Sequence, residues 1–170
     1  MGRSESAIMS SAEQARFRVD YPNSRPRASC IIALDDRSLS ALMVLKDRPW
    51  NGARFLRYLR AETVSKQLPT LVVDALLEDA EGRRTSLGKE VTEADVIVMV
   101  ATAGGSAREA AEIIGNTCPV LGKLATALVL KTAKSEDLAI TLRAMRPYAA
   151  MLVVSNAEDY IGDMLTALRA

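Results

Sequence analysis

The run ADVIVMVAT, residues 94–102, constrains the fold more than any other stretch of this chain. Six consecutive residues from Val96 to Ala101 are apolar, and four of the six are β-branched. A short run without polar alternation is typical of a strand that is buried on both faces, as in a parallel sheet covered by helices. A helix is predicted to follow from Ala107 to Asn116, so the residues between them form a strand-to-helix connection.

The same alternation of short apolar runs and helical stretches continues along the chain. The other predicted strands are ASCIIALDD (residues 28–36), TLVVDALL (70–77), KLATALVLK (123–131) and MLVVSN (151–156). The other predicted helices span residues 38–46, 53–68, 135–146 and 157–169, and LEDAEGRRTSL is predicted to be a hairpin or a loop. The pattern predicts an α/β fold, namely a three-layer sandwich with a mostly parallel, Rossmann-like sheet of about five strands.

The chain is predicted to contain one domain, an α/β unit over residues 28–170. Residues 1–27 are polar and interrupted by Pro22 and Pro26, which predicts an extended or partly helical arm. No apolar run reaches the roughly 18 residues of a membrane span, and the first residues lack the apolar centre of a secretory signal. We therefore expect a cytoplasmic protein without membrane contact.

The absence of histidine narrows the chemistry that this chain can perform. Its two cysteines, Cys30 and Cys118, are not in CxxC spacing. We therefore expect no metal site and no Ser-His-Asp or Cys-His catalysis. The candidates for acid–base chemistry, none with a surrounding motif, are Asp35, Asp74, Lys131 and Lys134. Whether the protein is an enzyme, and which cofactor it uses, stays open at this point.

Arginines and aromatic residues are interleaved in DRPWNGARFLRYLR, residues 47–60. Such a pattern can bind phosphates and stack bases. It also fits an amphipathic helix within residues 53–68 that buries Phe55, Leu56 and Leu59 and leaves the arginines in water. We prefer the helix, because the net charge of the chain is only +1, and nucleic-acid binding is not expected.

Loops at the carboxyl ends of the strands form the candidate site, since ligands bind there in sheets of this kind. The candidate supporting residues in these loops are Asp35, Asp36, Asp74 and Asn156. IIALDDRS is similar to the acidic pair of response-regulator receiver domains, although Ala101 and Thr102 stand where such a domain has its phospho-accepting aspartate. Asp36 is instead expected to cap the helix that begins near Ser38.

The glycine-containing loop after ADVIVMVAT is the candidate phosphate site. Two glycines allow close backbone approach, and the following helix would aim free amide groups and its positive end at one spot. The alternative is a purely structural turn, in which small residues only allow the helix to pack on the sheet. The candidate phosphate-binding residues are Thr102, Ala103, Gly104, Gly105 and Ser106.

The order of elements over residues 94–156 resembles the nucleotide-binding core of the FtsZ/tubulin family. The strand ADVIVMVAT, its glycine loop, the helix SEDLAITLRAMRPYA with its Leu-Arg pattern and the strand MLVVSN carry this resemblance. It implies that Gly104, Gly105 and Ser106 contact the phosphates of a nucleotide. The loop is shorter than the Gly-Thr-Gly loop of the family, so we expect binding without GTPase activity.

A rival resemblance concerns the same loop. TAGGSARE is similar to the SxSGxTxE turn of sugar-isomerase domains, with Thr102, Gly105 and Glu109 at the positions of the first Ser, the Gly and the acid. It implies a phosphosugar ligand. Both resemblances therefore imply a phosphate at one place in the fold.

The function that we predict is binding of a nucleotide or a phosphorylated metabolite at this loop, with an arginine from the segment Arg54–Arg60 neutralising the charge. The alternative is a non-enzymatic interaction or scaffold protein that forms a homo-oligomer and has no small-molecule ligand. Its contact surface would be the last helix, AEDYIGDMLTALRA, although a role in the core is the simpler expectation for that helix.

Overall fold

The computed structural model describes residues 27–63, 73–132, 134–156 and 159–167. One sheet contains the strands β1 (Ser29–Ala33), β2 (Ala53–Thr63), β3 (Val73–Asp79), β4 (Arg84–Ser86), β5 (Val96–Thr102), β6 (Ala125–Leu130) and β7 (Met151–Ser155). The helices are α1 (Asp36–Met43), α2 (Leu87–Glu93), α3 (Arg108–Val120), α4 (Ser135–Met145) and α5 (Asp159–Ala167), and a 3₁₀ turn (Arg146–Tyr148) follows α4. The described helices include none that is long and apolar enough to cross a membrane.

Within the described residues, the sheet has seven strands in the order β4-β3-β2-β1-β5-β6-β7. The strands β2, β1, β5, β6 and β7 are mutually parallel, whereas at one edge β3 pairs antiparallel with β2 and β4 pairs antiparallel with β3. The predicted α/β fold with a mostly parallel sheet is therefore confirmed. The predicted number of about five strands is too low, because β2 was predicted to be a helix and β4 was predicted only as one arm of a possible hairpin.

The predicted helix over residues 53–68 is wrong for Ala53–Thr63, which form the long strand β2. Phe55 and Leu56 are consecutive, and both are buried because they point to opposite faces of the sheet. Apolar residues at positions 55, 56 and 59 satisfy a helical and an extended pattern alike. Pairing with β1 on one side and β3 on the other, a non-local effect, selects the strand.

The five parallel strands have an order in the sheet that differs from their order along the chain. Numbered among themselves along the chain, they lie in the order 2-1-3-4-5, so the direction of winding reverses between β1 and β5. Loops at the carboxyl ends of strands on either side of such a reversal diverge and leave a crevice. The loops after β1 and β5 therefore lie where a ligand site is expected in this fold.

The core consists of two hydrophobic clusters that use alternate residues of the same strands. The α1–α5 cluster contains Ile31, Val98 and Leu128 of the sheet with Leu42 and Ile161 of the helices. The α3–α4 cluster contains, among others, Ile32, Ile97, Met99, Ile114 and Met145. In the last helix, Ile161, Met164 and Leu165 are buried as expected for a core helix, whereas Leu168 lies outside the described residues.

Several local predictions are also decided by the structure. LEDAEGRRTSL is a hairpin, in which the Asp79 carboxylate accepts hydrogen bonds from the backbone N–H groups of Glu81 and Arg83. The helix α1 is capped by Asp35 and not by Asp36. The predicted amino-terminal arm, apart from Arg27, lies outside the described residues.

Candidate functional site

The connection between β5 and α3 is fixed by hydrogen bonds from neighbouring strands. The Thr102 N–H donates to Asp35 Oδ2 at 2.7 Å, and the Ala103 N–H donates to the Leu130 carbonyl at 2.9 Å. The Gly105 N–H donates to the Thr102 carbonyl at 2.9 Å and closes the turn. The loop is thus held from β1 on one side and β6 on the other.

Each glycine of the loop has its own structural reason. Gly104 has φ +85°, a left-handed conformation that residues with a Cβ rarely adopt. A Cβ on Gly105 would lie 2.7 Å from Asp35 Oδ2 and 3.0 Å from the Thr102 carbonyl oxygen. The alternative of a tight structural turn therefore accounts for both glycines without any ligand.

The amide groups that remain for a ligand lie after the glycines. The Gly104 N–H already donates to Thr141 Oγ1 of α4 at 3.0 Å. The helix α3 begins after Ala107 without a side-chain cap, and the first N–H groups of a helix have no partner within the helix. An anion at this loop would therefore contact the N–H groups at the start of α3, about one turn after the two glycines.

A pocket of about 470 Å³ opens between this loop and α4. Two exposed arginines, Arg108 from the first turn of α3 and Arg143 from α4, line it. Among the described residues, neither guanidinium has an ion-pair partner. Because the uncapped start of α3 carries a partial positive charge, three positive groups converge on one cavity.

The α4 side of the pocket, which includes Arg143, is mixed in character. It includes the carboxylate of Asp137, the exposed side chain of Ile140, and the residues Pro147 and Tyr148 that follow α4. A Cβ on Gly104 would lie 3.1 Å from the Asp137 carboxylate, so this acid borders the glycine loop. The pocket therefore offers donors for an anion, one acceptor and an apolar surface.

The Asp35 carboxylate connects two elements. Its Oδ1 accepts from the Ser38 N–H at 2.8 Å and its Oδ2 accepts from the Thr102 N–H, so it joins the start of α1 to the end of β5. Asp36 is exposed in the first turn of α1. Within the part of the chain that the structure describes, no group of three or more potential metal ligands of the His, Cys, Asp and Glu types lies together.

Two other predicted residues lie away from the pocket wall. Asp74 was expected at the carboxyl end of a parallel strand, but it lies near the amino end of an antiparallel strand, opposite Glu62 at the carboxyl end of β2. It is the second residue of the antiparallel strand β3, and its carboxylate accepts from the N–H groups of Ala75 and Gly88 at the start of α2. Asn156 is exposed after β7, which lies two strands from β5, about 10 Å across the sheet.

The Thr102 side chain belongs to the other face of the sheet. It alternates with Val98 and Val100 of the α1–α5 cluster and is buried, and its Oγ1 has no hydrogen-bond partner among the described residues. Ala107, in contrast, belongs to the α3–α4 cluster beneath the pocket. The loop therefore contributes to the pocket with Gly104, Gly105 and Ser106 rather than with Thr102.

The arginines that the sequence predicted for the site, in the segment Arg54–Arg60, do not line this pocket. Arg54 pairs with Glu90 at 2.8 Å, and its neighbour in the sheet is Cys30, near the amino end of β1. Arg108, two residues after the candidate loop, and Arg143 of α4 were not predicted for the site. The sequence signal for Arg108 was its place in the first turn of a predicted helix, whereas Arg143 reaches the pocket only through tertiary packing.

A second cavity, of about 250 Å³, lies at the amino end of the sheet and is lined by Cys30, Arg54 and Glu90 among others. Glu90 is almost fully buried, and its other oxygen accepts from Thr85 Oγ1 at 2.8 Å. Burial raises the pKa of the Cys30 thiol far above its ordinary value. Cys30 is therefore a buried core residue that stays protonated at neutral pH, and not a nucleophile.

Sequence comparison assigns neither a family nor a function to this chain. No protein-family model matches the chain, and no curated protein is significantly similar to it in sequence. The two resemblances at residues 94–156 and 102–109 stay predictions.

Proposed function

We propose that this domain binds a phosphorylated small molecule, a nucleotide or another phosphorylated metabolite, in the pocket between α3 and α4, without hydrolysing GTP. The observation that carries the proposal is the pair Arg108 and Arg143, exposed and without ion-pair partners among the described residues, beside the uncapped start of α3. Guanidinium groups and helix amides are the donors that proteins use for phosphate oxygens.

The charges of the pocket favour a phosphate monoester over a simple carboxylate. Two guanidinium groups match the nearly double negative charge of such an ester at neutral pH. The carboxylate of Asp137 would repel a bare anion but can accept hydrogen bonds from hydroxyl groups. A ligand with a phosphate and neighbouring hydroxyls therefore satisfies the donors and the acceptor together.

We propose that helices cover both faces of the sheet, so that the fold is a three-layer sandwich. The position of the pocket depends on this arrangement. The two hydrophobic clusters support this arrangement, because each combines alternate residues of the same strands with different helices. In such a sandwich α3 and α4 cover one face side by side and both begin at the carboxyl end of the sheet. The pocket would then open towards the crevice between the loops.

The test is a thermal-shift and calorimetric titration of nucleotides, sugar phosphates and inorganic phosphate against the complete chain, each with and without Mg²⁺. A ligand at 100 times its Kd is expected to add about 2.7 kcal/mol of stability, a shift of several degrees. Arg108→Gln and Arg143→Gln are each expected to weaken binding about tenfold or more, because each removes a charge-assisted hydrogen bond.

Arg37→Gln is the matched control for these variants. Arg37 is an exposed arginine of α1, which packs against the opposite face of the sheet, so its loss changes net charge equally without touching the pocket. Equal weakening by all three variants would reduce the effect to general electrostatic attraction. No shift with any phosphorylated compound would refute the proposal.

A second candidate, an interaction protein that self-associates, is favoured by the edge strand β7. Met151 and Val154 on this strand are 50% and 40% exposed, and among the described strands only β6 is its neighbour in the sheet. Exposed apolar edges of this kind are sites of strand pairing. Sedimentation velocity would then show a dimer that Val154→Lys dissociates, and a monomer at every concentration would exclude this candidate.

A further inference from the structure

The first turn of α3 contains a carboxylate as well as an arginine. Glu109 directly follows Arg108, and Ala107, the residue before the helix, provides no side-chain cap. The first N–H groups of a helix have no partner within the helix, and a carboxylate near them is stabilised. Glu109 is therefore a competitor, within the chain itself, for the donors that the proposed function assigns to a phosphate.

The structure holds this carboxylate on another element. The Tyr58 hydroxyl of β2 donates to Glu109 Oε1 at 2.7 Å, across 51 positions of the chain. The helix α3 contacts both β2 and α4. Arg108 lines the pocket beside α4, whereas Glu109 is not among the described residues that line it. The first turn of α3 thus directs its arginine to the pocket and its acid to β2.

Tyr58 is well placed to keep this hydrogen bond. Its ring is half-buried and packs against the α3–α4 cluster. Burial and, after it, the hydrogen bond to Glu109 raise the pKa of the Tyr58 hydroxyl above its ordinary value. The hydroxyl therefore stays protonated, and remains a donor to the carboxylate, at neutral pH.

We infer that Tyr58 is a positioning residue, which keeps the phosphate site open by holding the Glu109 carboxylate away from the N–H groups at the start of α3. The inference rests on the proposed function and adds to it a residue that does not touch the ligand. Without the Tyr58 hydroxyl, the carboxylate is free to turn towards the N–H groups of its own turn. There it occupies donors and repels an incoming anion.

The test is a double-mutant cycle of Tyr58→Phe and Glu109→Ala, read by calorimetric titration of the complete chain with inorganic phosphate and with AMP. Tyr58→Phe keeps the ring, and it is expected to weaken the binding of both probes about fivefold. In the Glu109→Ala background the same change is expected to alter either affinity by less than about twofold, because the competing carboxylate is gone. Tyr160→Phe is the matched control, since it removes a hydroxyl from α5 on the opposite face of the sheet.

Amide resonances of the ligand-free protein provide a second readout that does not depend on binding. The NMR signals of the Arg108 and Ala110 N–H groups are expected to move in Tyr58→Phe. They are expected to move much less when Tyr58→Phe is made in the Glu109→Ala background, which has no carboxylate to approach them.

The inference is overturned, with the proposed function intact, if Tyr58→Phe binds both probes as tightly as the natural chain or leaves the amide signals in place. Equal weakening by Tyr58→Phe with and without Glu109 would also overturn it, because Tyr58 would then act independently of the carboxylate. If neither probe binds the natural chain at millimolar concentration, the inference fails. The proposed function fails with it only if the wider titration of phosphorylated compounds gives no shift either.

Discussion

The two ends of the parallel strands use charge in opposite ways. At the amino end, Arg54 and Glu90 pair with each other beside a cavity of about 250 Å³. At the carboxyl end, Arg108 and Arg143 line a pocket of about 470 Å³ and have no ion-pair partner among the described residues. The difference indicates that the amino-end charges stabilise the fold, whereas the carboxyl-end charges are available to a ligand.

The largest expected effect on stability is at the amino end. Arg54→Met leaves the buried Glu90 carboxylate without its cation, which should lower the free energy of unfolding by about 3 kcal/mol. That figure is at the lower end for buried pairs, because the Arg54 side chain is 46% exposed. Urea unfolding measures it, with Arg143→Met as the counterpart at the carboxyl end, expected to stay within about 0.5 kcal/mol.

Equal losses for Arg54→Met and Arg143→Met would contradict the comparison between the two ends. The double variant Arg54→Met/Glu90→Leu provides a further check. Replacing both partners with apolar residues removes the uncompensated charge, so much of the lost stability should return.

A smaller effect is expected at the turn itself. Gly105→Ala places a Cβ against the Asp35 carboxylate and the Thr102 carbonyl, and should cost about 2 kcal/mol by overpacking. Gly82→Ala is the control, since Gly82 has φ +78° and open space around its Cβ position, and should cost only about 1 kcal/mol of backbone strain. Urea unfolding of both variants measures the difference.

The steric cause can be separated from the backbone cause. Asp35→Ser shortens the side chain that the new methyl group would meet. The double variant Asp35→Ser/Gly105→Ala should therefore lose less stability than the sum of the two single changes. Strict additivity would show that the carboxylate does not restrict this position.

The smallest expected effect is a change of stability with pH, caused by the Cys118 thiol. Burial raises the pKa of the Cys118 thiol to about 11, above its ordinary value of 9.0. Well below pH 9 the thiol is protonated in both the folded and the unfolded state. Above that pH it ionises first in the unfolded state, so stability falls as the pH rises towards 11. From pH 8 to 9.5 this group alone should cost less than about 1 kcal/mol.

Urea unfolding at the two pH values, compared with Cys118→Ala, isolates this contribution. The pH dependence of the variant should be shallower, because its unfolded state releases one proton fewer. A variant with the same pH dependence as the natural chain would mean that Cys118 is open to water in the folded protein.

Local pattern was sufficient for part of this fold. Val96–Thr102 and the helix after the glycines were predicted because one buried parallel strand has a pattern that few other elements share. Ala53–Thr63 was assigned wrongly, because its apolar spacing suits a helix and only its pairing with β1 and β3 makes it a strand. Non-local pairing of this kind leaves no local signal.

The candidate site divides in the same way. The loop at Gly104 and Gly105 could be found from sequence, since two glycines after a strand indicate a turn. The wall formed by Asp137, Ile140 and Arg143 could not, because it reaches the loop only through the packing of α4 beside α3. Successive residues of a strand point to opposite faces of the sheet. Thr102 is therefore buried on the face opposite the pocket, although it was predicted as part of the same site.

The hydrogen bond from the Thr102 N–H to Asp35 also bears on when the glycine turn forms during folding. The two residues are 67 positions apart along the chain, so one of the hydrogen bonds that fix the turn comes from a residue much earlier in the sequence, just after β1. Closing so long a loop is slow and entropically costly until the intervening contacts exist. We therefore expect the glycine turn to acquire its native shape only after β1 and β5 have paired, and a partly folded chain that has β5 and α3 alone to lack a competent pocket.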